Sequence, residues 1–202
     1  MTVIGGSERL TMSVTDVLMM VLIGIWVFIP ALLPNSAAVV FGGGTPVDFG
    51  KSMGGKRILG DGKTWRGFFG GALSGVAVGL VMMGIAYLCH SDNFWGFGSD
   101  VVSAVGVIAC LSFGSLIGDM LGSFIKRRLG IERGQKAPVL DQYDFVIGAF
   151  LITSIFYPHW VYATFIEGYH LVALVVLLVV VLLLHRGVNI IGYKLGLKNE
   201  PW

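Results

Sequence analysis

The sequence predicts an all-α integral membrane protein with about five transmembrane helices, built as a single polytopic domain over residues 1–202. Hydrophobic residues fill 55% of the positions and charged residues only 13%. A soluble domain carries roughly a quarter charged residues, so this set cannot clothe a water-facing surface. The apolar excess is gathered into five stretches, 14–34, 67–89, 101–125, 143–162 and 169–186. Each approaches or exceeds the ~20 residues a helix needs to cross a bilayer. Open strands are excluded there, because unpaired backbone groups are too costly in lipid.

The first stretch is followed by Ser36-Ala37-Ala38, which resembles a signal cleavage site. Its apolar core is longer than a signal h-region and only Arg9 precedes it, so it is expected to be a retained helix. The second and third stretches carry glycine every four residues, at Gly67, Gly71, Gly75 and Gly79 and at Gly114, Gly118 and Gly122. Such ridges let membrane helices approach closely, either within the bundle or between copies, and the oligomeric state stays open. Cys89 and Cys110 lie in apolar runs and read as small buried hydrophobes. The four histidines are scattered without ligand spacing.

The connecting segments differ in charge. All but Arg9 of the 14 Lys and Arg residues fall in 35–66, in 126–142 or at the C-terminal end. By the positive-inside rule the N-terminus lies outside, the C-terminus is cytoplasmic, and loops 35–66 and 126–142 face the cytoplasm. Trp95, Tyr157, Trp160 and Tyr162 fit an outer interfacial belt, and Trp65 an inner one. So many cations suit two purposes, orientation with attraction to anionic lipid, or a polyphosphate substrate at that face. No nucleic-acid partner is expected.

The acidic residues favour the second purpose. Asp119 stands in an otherwise apolar helix, where a carboxylate costs about 2.5–3.5 kcal/mol on insertion scales and marks a function. Ser123 and Lys126 share its helical face, which ends in Lys126-Arg127-Arg128. Asp141 and Asp144, spaced i, i+3 after Pro138, open the fourth helix on one face. An acidic first turn also complements the helix dipole, which accounts for Asp141 and Asp144 but not for Asp119. Three carboxylates without an accompanying His or Cys suit Mg²⁺ held jointly with substrate phosphates.

Before the second helix the chain reads Gly54-Gly55-Lys56-Arg57-Ile58-Leu59-Gly60-Asp61-Gly62-Lys63-Thr64-Trp65-Arg66-Gly67. Glycines let backbone N–H groups approach phosphate oxygens, and the cations supply countercharge. A Walker A loop would need glycine where Arg57 stands, and no strand precedes it, so the P-loop reading fails.

Together, the string from Gly60 to Gly67, then Gly118-Asp119…Ser123…Lys126-Arg127, then Pro138-Val139-Leu140-Asp141-Gln142-Tyr143-Asp144, resembles the archaeal CDP-archaeol synthase family. That family is related to the CDP-diacylglycerol synthases. The resemblance runs from about Pro34 to the end of the fourth helix. Bacterial relatives place His-Gly-Gly before the acidic pair, whereas this chain has Ala137-Pro138 nearby, which sets it with the archaeal branch.

The resemblance implies transfer of cytidylyl from CTP to a membrane-embedded lipid phosphate, giving a CDP-lipid and pyrophosphate. For this branch the acceptor is a di-geranylgeranyl glycerol phosphate ether. On that reading Asp119, Asp141 and Asp144 are metal-binding and catalytic, with Lys63 as a catalytic partner. Lys56, Arg57, Gly62, Lys63, Thr64 and Arg66 bind the nucleotide, while Lys126, Arg127 and Arg128 clamp the lipid phosphate. Asn35 either contacts the nucleotide or caps the first helix. A phosphate monoester is already ionised at neutral pH, so the chemistry needs no dedicated base. Two alternatives stand beside this one, a CTP-dependent polyprenol kinase and a small anion or lipid transporter.

Overall fold

A computed structural model describes residues 13–90, 94–132, 135, 137–194 and 196. Among them, six α-helices surround a core, with one small hairpin at one end. The elements are α1 (Val14–Phe41), β1 (Ser52–Met53), β2 (Lys56–Arg57), α2 (Trp65–Leu88), α3 (Val101–Arg128), α4 (Pro138–Phe156), α5 (Pro158–Phe165) and α6 (His170–Lys194). Arg9, Arg133, Lys136 and Lys198, used above as orientation signals, lie outside the described residues.

Three helices, α1, α2 and α3, are long and apolar enough to cross a membrane. A fourth crossing is added if α5 and 170–184, bent by 89°, count as one span. α4 is 19 residues long, about 28 Å by helical rise.

α1 begins on a capping box, in which Ser13 and Asp16 satisfy each other's backbone N–H groups. It does not stop at Pro34, as the sequence reading has it, but runs to Phe41 and ends on Gly42. Pro34 cannot donate to the Pro30 carbonyl, yet Ser112 Oγ of α3 lies 3.2 Å from that oxygen. Ser115 Oγ donates to the next carbonyl, Ala31 O, at 2.8 Å. Ser112, whose shorter bond of 2.8 Å goes to Ile108 O of its own helix, thus brings a hydroxyl to the carbonyl that Pro34 leaves without its helical donor, as membrane helices permit. The extension places Asn35 inside the helix, so it is not the cap.

The glycine ridges serve packing inside the bundle. A Cβ added at Gly71 would come within 2.5 Å of Pro34 O, and one at Gly75 within 2.5 Å of Pro30 O. On α3, Gly114 and Gly118 press on the backbone of Gly148 in α4. With no side chains between them, α1 meets α2 and α3 meets α4 at backbone contact distance.

The expected helix over 143–162 is two helices. α4 starts earlier, at Pro138, and breaks at Tyr157, because Pro158 removes an N–H and drives the preceding residue out of helical geometry. The short α5 is tied down by Trp160 Nε1, which donates to Gly96 O at 2.6 Å. Its Phe165 is fully buried against Phe28 and Phe150. The remaining shifts are at helix ends: α3 extends to Arg128, placing the basic triplet on its last turn, and α6 extends to Lys194.

Candidate active site

The segment between α1 and α2, where the sequence reading placed no strand, contains the hairpin, although Arg57 still stands where a Walker A loop needs glycine. Gly54 and Gly55 both have positive φ, 60° and 73°, the geometry of a two-residue primed turn. They pair Ser52 with Arg57 and Met53 with Lys56. The segment then returns beside its own start, with Val47 N–H donating to Lys63 O at 2.8 Å and Trp65 N–H to Thr45 O at 3.1 Å.

Asp48 is the hub of this fold-back, and sequence reading missed it. Its side chain is fully buried. It accepts from Arg57 Nη2 at 2.8 Å and from the backbone N–H groups of Gly50 (3.1 Å), Leu59 (3.0 Å) and Gly60 (2.9 Å). Burial alone would raise the Asp48 pKa, but the Arg57 guanidinium and these N–H donors overcome it and hold the carboxyl well below its ordinary range. The same bonds to Asp48, with a second to Asp61 at 2.7 Å, raise Arg57 further above its ordinary value. One signal was available: an Asp between proline and glycine, in Pro46-Val47-Asp48-Phe49-Gly50, marks a turn built on a carboxylate.

The loop delivers Gly62, Lys63 and Thr64 to a cavity of about 190 Å³. Asn35, Ala38 and Val39 of α1 and Gly67 and Phe68 of α2 form one side. Leu116, Asp119 and Met120 of α3 and Asp141 and Asp144 of α4 form the other. Seven residues singled out in the sequence therefore converge here: Asn35, Gly62, Lys63, Thr64, Asp119, Asp141 and Asp144.

Each has a defined environment. Lys63 Nζ donates to Asp119 Oδ2. Lys126 Nζ donates to Asp141 Oδ1 at 2.7 Å, and Asp141 Oδ2 accepts the Ala137 N–H at 2.8 Å. Asp144 is buried, with Oδ1 accepting from Phe145 N–H at 2.7 Å and the carboxylate packed on Gly122. Thr64 Oγ1 caps α2 by accepting from Gly67 N–H at 3.1 Å, which leaves its proton free to donate. Asn35 Oδ1 is buried and meets no hydrogen-bond partner among the described residues.

The remaining basic residues sit elsewhere. Lys56, Arg57 and Arg127 line a neighbouring cleft of about 460 Å³ with Gly60, Asp61 and Glu132. Arg128 packs over the Phe124 ring and donates to three hairpin carbonyls, Met53 O, Lys56 O (3.1 Å) and Arg57 O (2.7 Å). Arg127 donates to Ile131 O. Arg66 is exposed on the first turn of α2. The expected roles of Arg57 on nucleotide and Arg128 on lipid phosphate thus meet a structure in which both guanidiniums are engaged in bracing the loop.

The donor set suits a hard divalent cation: three carboxylates, all oxygen, on one small cavity. As the side chains lie, two of these carboxylates hold ammonium groups. No group of three His, Cys, Asp or Glu side chains among the described residues is drawn together tightly enough to hold an ion.

Comparison with known proteins agrees with this architecture. The family model described as CDP-archaeol synthase, CarS-like, matches residues 17–202. A CDP-archaeol synthase of Picrophilus torridus is 47% identical over 186 residues, covering 92% of this chain and 98% of its own. One from Methanospirillum hungatei is 49% identical over 175 residues, covering 86% and 99%. A solved structure, of an intramembrane enzyme for archaeal membrane lipids biosynthesis, superposes with a TM-score of 0.57 at 33% identity, covering 88% of this chain and 95% of that one. The matched range begins within α1 and runs past α6, and the chain belongs to the CDP-archaeol synthase family.

Proposed function

We propose that this cytidylyltransferase moves the cytidylyl group of CTP onto a 2,3-bis-O-geranylgeranyl-glycerol 1-phosphate type ether lipid, giving CDP-archaeol and pyrophosphate. The observation that carries the reading is the mixed lining of the cavity. Lys63, Thr64, Asp119, Asp141 and Asp144 give it charged and polar groups, and Ala38, Val39, Phe68, Leu116 and Met120 give it apolar ones. A water-soluble polyphosphate and a lipid-borne phosphate require that combination in one place.

Asp119, Asp141 and Asp144 would hold Mg²⁺, which when bound neutralises triphosphate charge and makes the α-phosphorus more electrophilic. The chain's own residues do the rest. Lys63, Thr64 and the backbone of Gly62 bind phosphate oxygens of CTP, and Asn35 offers its buried amide oxygen to a donor on the nucleotide. Lys126, on the last turn of α3, holds the lipid phosphate, with Lys56 and Arg127 available to the departing pyrophosphate in the adjoining cleft. The ionised lipid phosphate oxygen attacks the α-phosphorus in line, and the bond to the bridging oxygen of pyrophosphate breaks. The lipid phosphate is already ionised at neutral pH, so no base is required.

In this reading the chain crosses a cell membrane five times, with its N-terminus outside and the cavity facing the cytoplasm. Basic loops at the cavity end support that orientation. The test is incubation of purified protein with lipid phosphate and CTP labelled at either the α or the γ phosphorus. Label from α alone should enter the lipid. Label from γ alone would identify a lipid kinase, and uptake of neither would leave transport.

A further inference from the structure

We infer that Asp48 is a positioning residue for Lys63, acting through the backbone between Leu59 and Gly62 rather than by touching substrate. The inference rests on the nucleotide reading only for its kinetic arm.

Asp48 does not line the cavity, yet it fixes the strand of chain that enters it. Two of its bonds go to consecutive N–H groups, Leu59 and Gly60, four and three residues before Lys63. Lys63 N–H in turn donates to Gly60 O at 3.2 Å, closing a turn that aims the lysine at Asp119. Gly60 has φ of +94°, a conformation that needs outside support if the turn is to hold a single shape. Asp48 supplies it from one side. Arg128 supplies it from the other, gripping the carbonyls of Lys56 and Arg57 from the end of α3, the helix that carries Asp119. Arg57 joins the two braces, since its guanidinium binds Asp48 while its carbonyl binds Arg128.

A buried carboxylate accepting several N–H bonds cannot be replaced by an amide without loss. In Asp48→Asn one oxygen becomes an NH₂ group, which faces donors and leaves at least one of them unpaired. The loop then relaxes, and Lys63 spends less time at Asp119, although the helices are unaffected.

Two measurements test this. In a full-length chain carrying Cys89→Ala and Cys110→Ala, cysteines are placed by Lys63→Cys and Asp119→Cys and joined with a short bifunctional thiol reagent. Adding Asp48→Asn should slow the linking roughly tenfold, as the docked loop becomes a minor population. An unchanged rate overturns the proposal, whatever the enzyme's substrate. In the native-cysteine protein, Asp48→Asn should raise the Kd for CTP roughly tenfold while kcat at saturation changes less than about threefold. In a Lys63→Ala background it should add nothing, because both changes remove the same contact. Independent, multiplying losses would overturn the role through Lys63. If Asp48→Asn does not fold, as a lost melting transition would reveal, Arg57→Lys replaces it, keeping the charge but losing the fork to Asp48. It should give the same slowing to a smaller degree, and no slowing refutes the brace. Failure of the wild-type protein to bind CTP would strike the nucleotide reading alone, with the linking arm still deciding the role of Asp48.

Discussion

Gly122 has no chemistry of its own, yet it fixes the position of an acidic group. A Cβ at that position would overlap Asp144 Oδ2, and the nearest other atoms are also from the Asp144 side chain. Asp144 Cβ as well as its carboxylate meets the added atom, so rotation of the side chain alone does not relieve the overlap. Gly122→Ala must therefore displace the carboxylate or part α3 from α4. Overpacking of this kind costs about 1–3 kcal/mol in stability. The effect on turnover should be larger, roughly a hundredfold, because a shift of about 1 Å at a reacting centre is enough for that. A melting curve with a modest shift and a steady-state assay with a collapsed kcat would agree with this. Near-normal turnover would mean that the position of Asp144 is not critical. Asp144→Asn, which keeps the packing and removes the charge, should abolish turnover with little change in melting, and unchanged CDP-lipid formation would remove Asp144 from the proposed metal set.

At the scale of elements, the loop between α1 and α2 should behave as a pH-sensitive unit. Asp48 has a folded-state pKa below its unfolded value of 3.8. The stability it contributes is therefore fully present above about pH 4 and is lost as the pH falls through the folded value, lower still. Protection of Lys51, Lys56 and Lys63 from a protease active in acid should persist down to about pH 4 and decay below it. Asp48→Asn should show weak protection throughout, without the acid step. An acid step of the same size in both proteins would place the titrating group elsewhere. Much of this element was out of reach of the sequence. Gly54-Gly55 was a legible turn signal, but strands of two residues have no periodicity to read. The basic residues were legible as a cluster, whereas their partners depend on a fold-back that brings Asp48 to residues 57–60. The apolar runs were easier, since length and hydropathy locate a membrane helix without tertiary information. Their ends were not. A proline is expected to end a helix, yet α1 continues past Pro34, where Ser112 and Ser115, some 80 positions away, approach the Pro30 and Ala31 carbonyls. At Pro158, by contrast, the helix broke.

For the whole molecule, the one-sided charge and the cavity describe a single face. The last residues of α1, the first of α2, the end of α3 and the start of α4 all meet at the cavity, and the basic loops attach there. At the opposite end, Trp26 and Trp95 lie with ring centroids 5.6 Å apart, and Trp160 bonds Gly96. In the proposed orientation, inverting the chain would carry Lys51, Lys56, Arg57 and Lys63 through hydrocarbon. The exposed positions Ser52, in the hairpin, and Ser99, just before α3, report the two faces. In a background of Cys89→Ala and Cys110→Ala, Ser99→Cys should react with a membrane-impermeant maleimide on intact cells. Ser52→Cys should react only after permeabilisation. CTP is made and held in the cytoplasm, so the reverse pattern would deprive the cavity of its proposed nucleotide, even if every residue in it were correctly placed.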